Sequence, residues 1–165
     1  MINKNTKTYK AMKPIAADIL TGRMLCIDPS TGSKSSRPGY AVYEKGKLTE
    51  SGEIIVDIGA NRSKRLYEIS RTIREEFPVA DILCVEYIPP VSYRGGMNNI
   101  SIMALQKAIG AILAAHPYEH LLEIPAVSWR KAIDENYIKT DEMDSIYIGK
   151  FVIAAAQKII EDLKK

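Results

Sequence analysis

The chain has 165 residues, of which 46% are hydrophobic, enough for one domain with a core and too few for two full-sized ones. Its formal charge of +3 is modest, and no apolar run approaches the roughly 20 residues needed to cross a bilayer. The N-terminus, MINKNTKTYK, lacks the apolar stretch of a secretory signal, so a soluble protein that stays in the cytoplasm is expected.

Residues 1–23 hold Lys4, Lys7, Lys10, Lys13 and Arg23 against Asp18 alone. They read as a basic N-terminal extension to a folded domain over 24–165, either a flexible arm that follows phosphates or a solubilising tail. Met24 to Asp28 forms a buried strand, followed by the polar loop PSTGSKSSRPG. YAVYE and LTESGEIIV are two further strands joined by a tight KGK turn. Leu66, Ile69, Ile73 and Phe77 recur at helical spacing, which predicts an amphipathic helix from about Ser63 to Phe77. DILCVEY is a fourth strand, and IPPVSYRGGMNN is a loop whose prolines and paired glycines forbid regular structure.

Asn98 or Asn99 can cap the next helix, ISIMALQKAIGAILAA, whose alanines and Gly110 permit close helix approach in the core or in a dimer. His116 and His120 lie beyond it and read as surface loop residues with no third ligand at metal spacing. HLLEI is a fifth strand, SWRKAI a helical turn capped by Ser128, and Thr140 caps a last helix through about Leu163. Cys26 and Cys84 each sit inside an apolar strand and read as small core hydrophobes. Three strands joined by hairpins, then helix-linked parallel strands, predict a mixed five-stranded sheet covered by helices, the ribonuclease H-like α/β architecture.

Acids mark particular places in this plan. LCIDPS and LCVEYI each deliver a carboxylate near the carboxyl end of an apolar strand, Asp28 in one and Glu86 in the other. On parallel neighbouring strands both emerge at one rim of the sheet, where open α/β sheets bind ligands. Two adjacent carboxylates repel unless a cation lies between them, so the pair calls for a metal. The alternative is that each acid only marks where its strand surfaces. Asp141 and Asp144 are three residues apart on one face of the last helix. Asp141 and Glu142 also suit a helix N-terminus. Asp144 continues the face of Ile148 and Val152 and should point inward at the rim.

The segments CIDPS, PGYAVYEKGKLTESGEI, ILCVEYI, MALQKAIGAILAA, EIPAVSWRKAI and DEMDSI together resemble the RuvC family of Holliday junction resolvases, especially its short phage-borne members, over about residues 23–163. The resemblance implies that Asp28, Glu86, Asp141 and Asp144 are catalytic acids that bind two Mg²⁺ ions, with Mn²⁺ able to substitute. Two such ions about 4 Å apart activate water and stabilise the leaving 3′-oxygen, giving 5′-phosphate and 3′-hydroxyl ends. It implies a homodimer, because paired symmetric nicks need two sites, and four-way or other branched DNA as substrate in a bacterial or phage-infected cell. Tyr93 beside Arg94, in the loop after Glu86, is the candidate to stack on an open base step. Lys34, Arg37, Arg130, Lys131 and Lys139 are the candidates for phosphate contacts. The chain departs from bacterial members in two longer loops and in a short DENYIK connection where those carry an extra basic helix.

Three other readings remain open at this point. A YqgF-like nuclease acting on RNA shares the first strand and loop, but the D-x-x-D of the last helix and SWRKAI disfavour it. An actin-like phosphotransferase needs a second lobe. A non-catalytic junction-binding module would leave four acids to repel DNA.

Overall fold

The computed structural model describes residues 6–30, 37–57, 59–87 and 99–165, apart from the side chains of residues 99 and 132. Its strands are β1 (Arg23–Asp28), β2 (Gly39–Glu44), β3 (Lys47–Glu53), β4 (Ile82–Tyr87) and β5 (His120–Pro125). Its helices are α1 (Lys7–Met12), α2 (Ala16–Thr21), α3 (Arg62–Glu76), α4 (Asn99–Ala115), the single turn α5 (Ala126–Trp129) and α6 (Asp141–Leu163). The strands form one mixed five-stranded sheet in the order β3-β2-β1-β4-β5. β2 runs antiparallel to β1 and β3, whereas β4 is parallel to β1 and β5. This is the ribonuclease H-like arrangement expected from the order of elements.

Alternation along the strands divides the core into two layers. Met24, Cys26, Ile82, Cys84, Leu122 and Ile124 face α6, whereas Leu25, Ile27, Leu83 and Val85 face the opposite layer with Ile69 and Ile73 of α3 and Ile109 and Ile112 of α4. Each fully buried Leu or Ile side chain contributes roughly 1.5–3 kcal/mol. α6 crosses the sheet closely: the Tyr43 hydroxyl donates to the Ile146 carbonyl at 2.7 Å, and a Cβ on Gly149 would fall 2.2 Å from the Tyr43 ring. The β2–β3 turn places Lys45 at φ 50° and Gly46 at φ 72°. That two-residue turn matches the twist of the strands and needs a residue tolerant of positive φ.

Several sequence expectations change. The N-terminal extension is helical rather than a flexible arm over its described residues: Tyr9, Met12, Ile15, Ala16 and Ile19 enter the same core as α6, and Thr6 caps α1 by accepting from the Tyr9 N–H at 3.2 Å. The apolar residues there recur at helical spacing, with the exposed Lys7, Lys10 and Lys13 on the solvent side. His116 is not a surface residue but is buried, with Nε2 accepting from the Ala80 N–H at 3.1 Å. His120 is partly exposed, 3.7 Å from Asp18. The turn around SWRKAI begins at Ala126, so Ser128 lies inside it and does not cap it. β3 ends at Glu53, yet Ile54 and Val56 remain buried under α3, Ile54 donating its N–H to the Pro38 carbonyl at 2.8 Å. Gly110 is exposed on α4, with nothing among the described residues within 4 Å of an added Cβ, so it mediates no close approach to any of them. No described helix is long and apolar enough to cross a membrane.

Candidate active site

Alternation aims the first two acids. Cys26 and Cys84 are in-register partners on β1 and β4, and both face α6. Asp28 and Glu86 lie two residues further along the same strands, so both carboxylates point to that side at the carboxyl rim of the sheet. They are almost as buried as the core, at 6% and 7% exposure.

The start of α6 is pinned against this rim. Gly39, opposite Asp28 in the β1–β2 register, leaves room for the helix backbone, since a Cβ there would lie 1.8 Å from the Asp141 carbonyl oxygen. Thr140 caps α6 by accepting from the Met143 N–H at 3.1 Å. Asp141 Oδ2 accepts from the Arg37 N–H at 2.8 Å, and the Ser51 hydroxyl donates to Glu142 Oε1 at 2.7 Å. One turn into the helix, Asp144 is turned inward and only 7% exposed.

Hydrogen-bond donors surround these acids. Trp129 donates its Nε1–H to Glu86 Oε1 at 3.1 Å, and Arg130 Nη2 lies 3.9 Å from that same oxygen. The Arg130 guanidinium also covers the Trp129 ring, 5.2 Å from its centre. The Tyr137 hydroxyl donates to Asp144 Oδ1. Asp28 and Glu86 lie close enough that each carboxyl group feels the other.

The electrostatics follow from that crowding. Burial first, then the charges of Glu86, Asp144 and Asp141, push the Asp28 carboxyl well above the usual carboxylate range. Burial also raises Glu86, opposed by the neighbouring Asp28, by the hydrogen bond from Trp129 and by the Arg130 charge. Asp144 is raised by burial and opposed by Tyr137 and Arg130. The rim therefore holds more negative charge than its own cations neutralise.

Among the described residues, no three His, Cys, Asp or Glu side chains are arranged as a ready cage for a metal ion. The donor set nevertheless fits a hard divalent cation, because it consists of carboxylate oxygens, and the like charges crowding Asp28 are of the kind a cation offsets.

The remaining sequence candidates divide by position. Arg130 stands at the acids, and Lys139 is exposed and near enough for Asp144 to feel its charge. Lys131 is exposed on the turn after Arg130. Arg37 is turned aside, its Nη1 being 3.7 Å from Glu53, while its backbone serves Asp141. Lys34, Tyr93 and Arg94 lie outside the described residues. Sequence reasoning missed Trp129 and Tyr137. The signal for Trp129 was its standing as the only tryptophan, next to Arg130; Tyr137, in a short polar connection, carried none.

No protein-family model and no curated protein matches the sequence. Solved structures do match. Thermus thermophilus RuvC in complex with a Holliday junction substrate superposes with a TM-score of 0.56 at 15% identity, over 86% of this chain and 95% of that one. A second Thermus thermophilus RuvC structure gives a TM-score of 0.52 at 14% identity, over 86% of this chain and 96% of that one. At these identities the likeness is one of architecture, and the chain has a RuvC-like, ribonuclease H-like fold.

Proposed function

We propose that the protein is a divalent-cation-dependent DNA endonuclease that resolves Holliday junctions and related branched DNA by paired nicks. The observation that carries this reading is the convergence of Asp28, Glu86 and Asp144, with Asp141 beside them, from two parallel strands and one helix onto a single buried, charge-rich rim. The RuvC-like fold and the junction-bound neighbour support DNA as the substrate.

In this reading Asp28, Glu86, Asp141 and Asp144 hold Mg²⁺ or Mn²⁺, two ions per site. A bound ion supplies Lewis acidity at the phosphate and lowers the pKa of water. The chain's own residues do the rest. Arg130, held over the Trp129 ring, offers its guanidinium to a phosphate oxygen, and Lys131 and Lys139 extend the cationic border along the approach. Lys34, Tyr93 and Arg94 are assigned to the same DNA surface from sequence. A homodimer supplies the second site, with the exposed Ile100 and Met103 face of α4 as the shared surface. Placement among short phage-type members acting in the cytoplasm rests on the sequence resemblance alone.

The test is cleavage of end-labelled four-way junction, fork, linear duplex and RNA–DNA hybrid with Mg²⁺, by the wild type and Asp28→Asn. Paired nicks in the junction, lost in the variant while binding persists, are expected. Junction binding without any cleavage by the wild type would move the protein to a non-catalytic module, and cutting confined to the hybrid would make it a ribonuclease.

A further inference from the structure

The acids do not stand alone at the rim; two of them are gripped by aromatic side chains from a segment that contributes no acid of its own to the set. β5 runs directly into α5, so Trp129 is seated in the core against the face that carries α6, with 0% exposure, and only its indole N–H reaches Glu86. The connection that follows is fastened to α6 from both sides. Tyr147 of α6 donates to Asp134 of the connection, and Tyr137 of the connection donates to Asp144 of α6. Asp134 also accepts from the Asn136 N–H at 3.0 Å and, through its carbonyl, from the Tyr137 N–H at 3.2 Å. The Tyr137 and Tyr147 rings meet edge to face with centres 5.3 Å apart. A short polar connection thus has a fixed shape, and the fixture delivers one hydroxyl to one carboxylate.

We infer that Trp129 and Tyr137 are positioning residues, which orient Glu86 and Asp144 to receive a divalent cation; the inference rests on the functional reading above. Both donors are neutral. Each takes one oxygen of its acid and fixes the plane of the carboxylate without adding a positive charge that would compete with the incoming ion. Partners of this kind around metal ligands typically change affinity by 10- to 100-fold when removed. Arg130 is different in kind, because its charge acts against a second cation at Glu86 while the tryptophan beneath it does not.

The experiment is Mn²⁺ binding, read from the magnetic resonance signal of the free ion, on the full chain as wild type, Trp129→Phe and Tyr137→Phe. Phenylalanine keeps the ring packing in both cases and removes only the donor. A loss of Mn²⁺ affinity of about tenfold or more in each variant is expected, with unfolding midpoints in cation-free buffer close to the wild type. A second readout uses the single tryptophan: its emission should shift when Mg²⁺ is added to the wild type, and should not shift in Glu86→Gln. Because Tyr137 lies in a surface connection, its variant stands as the test if Trp129→Phe fails to fold. Variants that bind Mn²⁺ within twofold of a wild type that does bind it would overturn the positioning role and leave the functional reading intact. A wild type that binds no Mn²⁺ at millimolar concentration overturns both.

Discussion

Two pairs of side chains sit two residues apart on the same strands and the same face, and burial treats them in opposite ways. Cys26 and Cys84 are in-register partners, both free, fully buried and in contact with each other. Burial, with the neighbouring Cys84, pushes the Cys26 thiol well above its ordinary value, which leaves it neutral and chemically quiet. One step along at the rim, Asp28 and Glu86 meet almost the same exclusion from water, and there the favoured neutral state conflicts with the ordinary charge of a carboxylate. The same desolvation makes packing of one pair and a poised, costly charge cluster of the other. Location along the strand, rather than depth, separates core from candidate site.

Making the second pair resemble the first is the strongest way to break the comparison. Asp28→Asn should lower junction cleavage by about 10³-fold, since a ligand is lost to the cation that would stabilise the developing charge, read from labelled products. The same substitution should stabilise the cation-free protein by about 1 kcal/mol in urea unfolding. The sign follows from the raised folded-state pKa: the folded chain binds the extra proton more readily than the unfolded chain does. The penalty for Asp28 is therefore present at neutral pH and relieved as pH falls through the folded value. The gain in the variant should shrink correspondingly in acid.

Displacing the acids' third source comes next. Gly39→Ala places a methyl group where the Asp141 backbone lies. It should cost about 3 kcal/mol of stability and weaken Mn²⁺ binding, because α6 cannot keep its place at the rim.

Substituting the quiet pair should sharpen the contrast. Cys26→Ser or Cys84→Ser buries a hydroxyl among apolar side chains and should destabilise by about 1–2 kcal/mol, yet leave Mn²⁺ affinity unchanged. A tenfold loss of affinity in either would show that the thiols tune the acids.

The smallest expected effect is a pH dependence away from the site. Burial lowers the pKa of His116 below its ordinary 6.5, and the neutral ring accepts from Ala80. Its contribution should be complete above about pH 6.5 and decline as pH falls through the folded value. His116→Gln, which keeps an acceptor, should show a shallower loss of urea midpoint between about pH 7 and pH 5. The slope runs opposite to that of Asp28, so the two variants separate the contributions.

Much of this arrangement could be read before the structure, for physical reasons particular to each element. The apolar runs ending in Asp28 and Glu86 specify buried strands, and period-two spacing then fixes which way their acids point. Thr140 announces the start of α6 because a hydroxyl at that place satisfies a helix N–H. What stayed hidden depends on partners distant in sequence. The apolar positions of α1 lie among lysines and those of α2 form too short a run to mark a helix, and His116 gives no sign that Ala80 donates to it. Trp129 and Tyr137 are ordinary residues in a turn and a connection until the fold brings Glu86 and Asp144 to them.

The helices ahead of β1 also bear on how the chain is made. α1 packs against β5 and α2 against α6, so both helices take partners that lie far along the chain from them. The β1–β2–β3 meander can pair while translation continues, but the layer holding Met12 and Ile19 is complete only once α6 has joined it. Loop closure over that span sets a late step in folding. Ribosome-bound intermediates stalled before residue 141 lack α6 and should present this apolar face to chaperones.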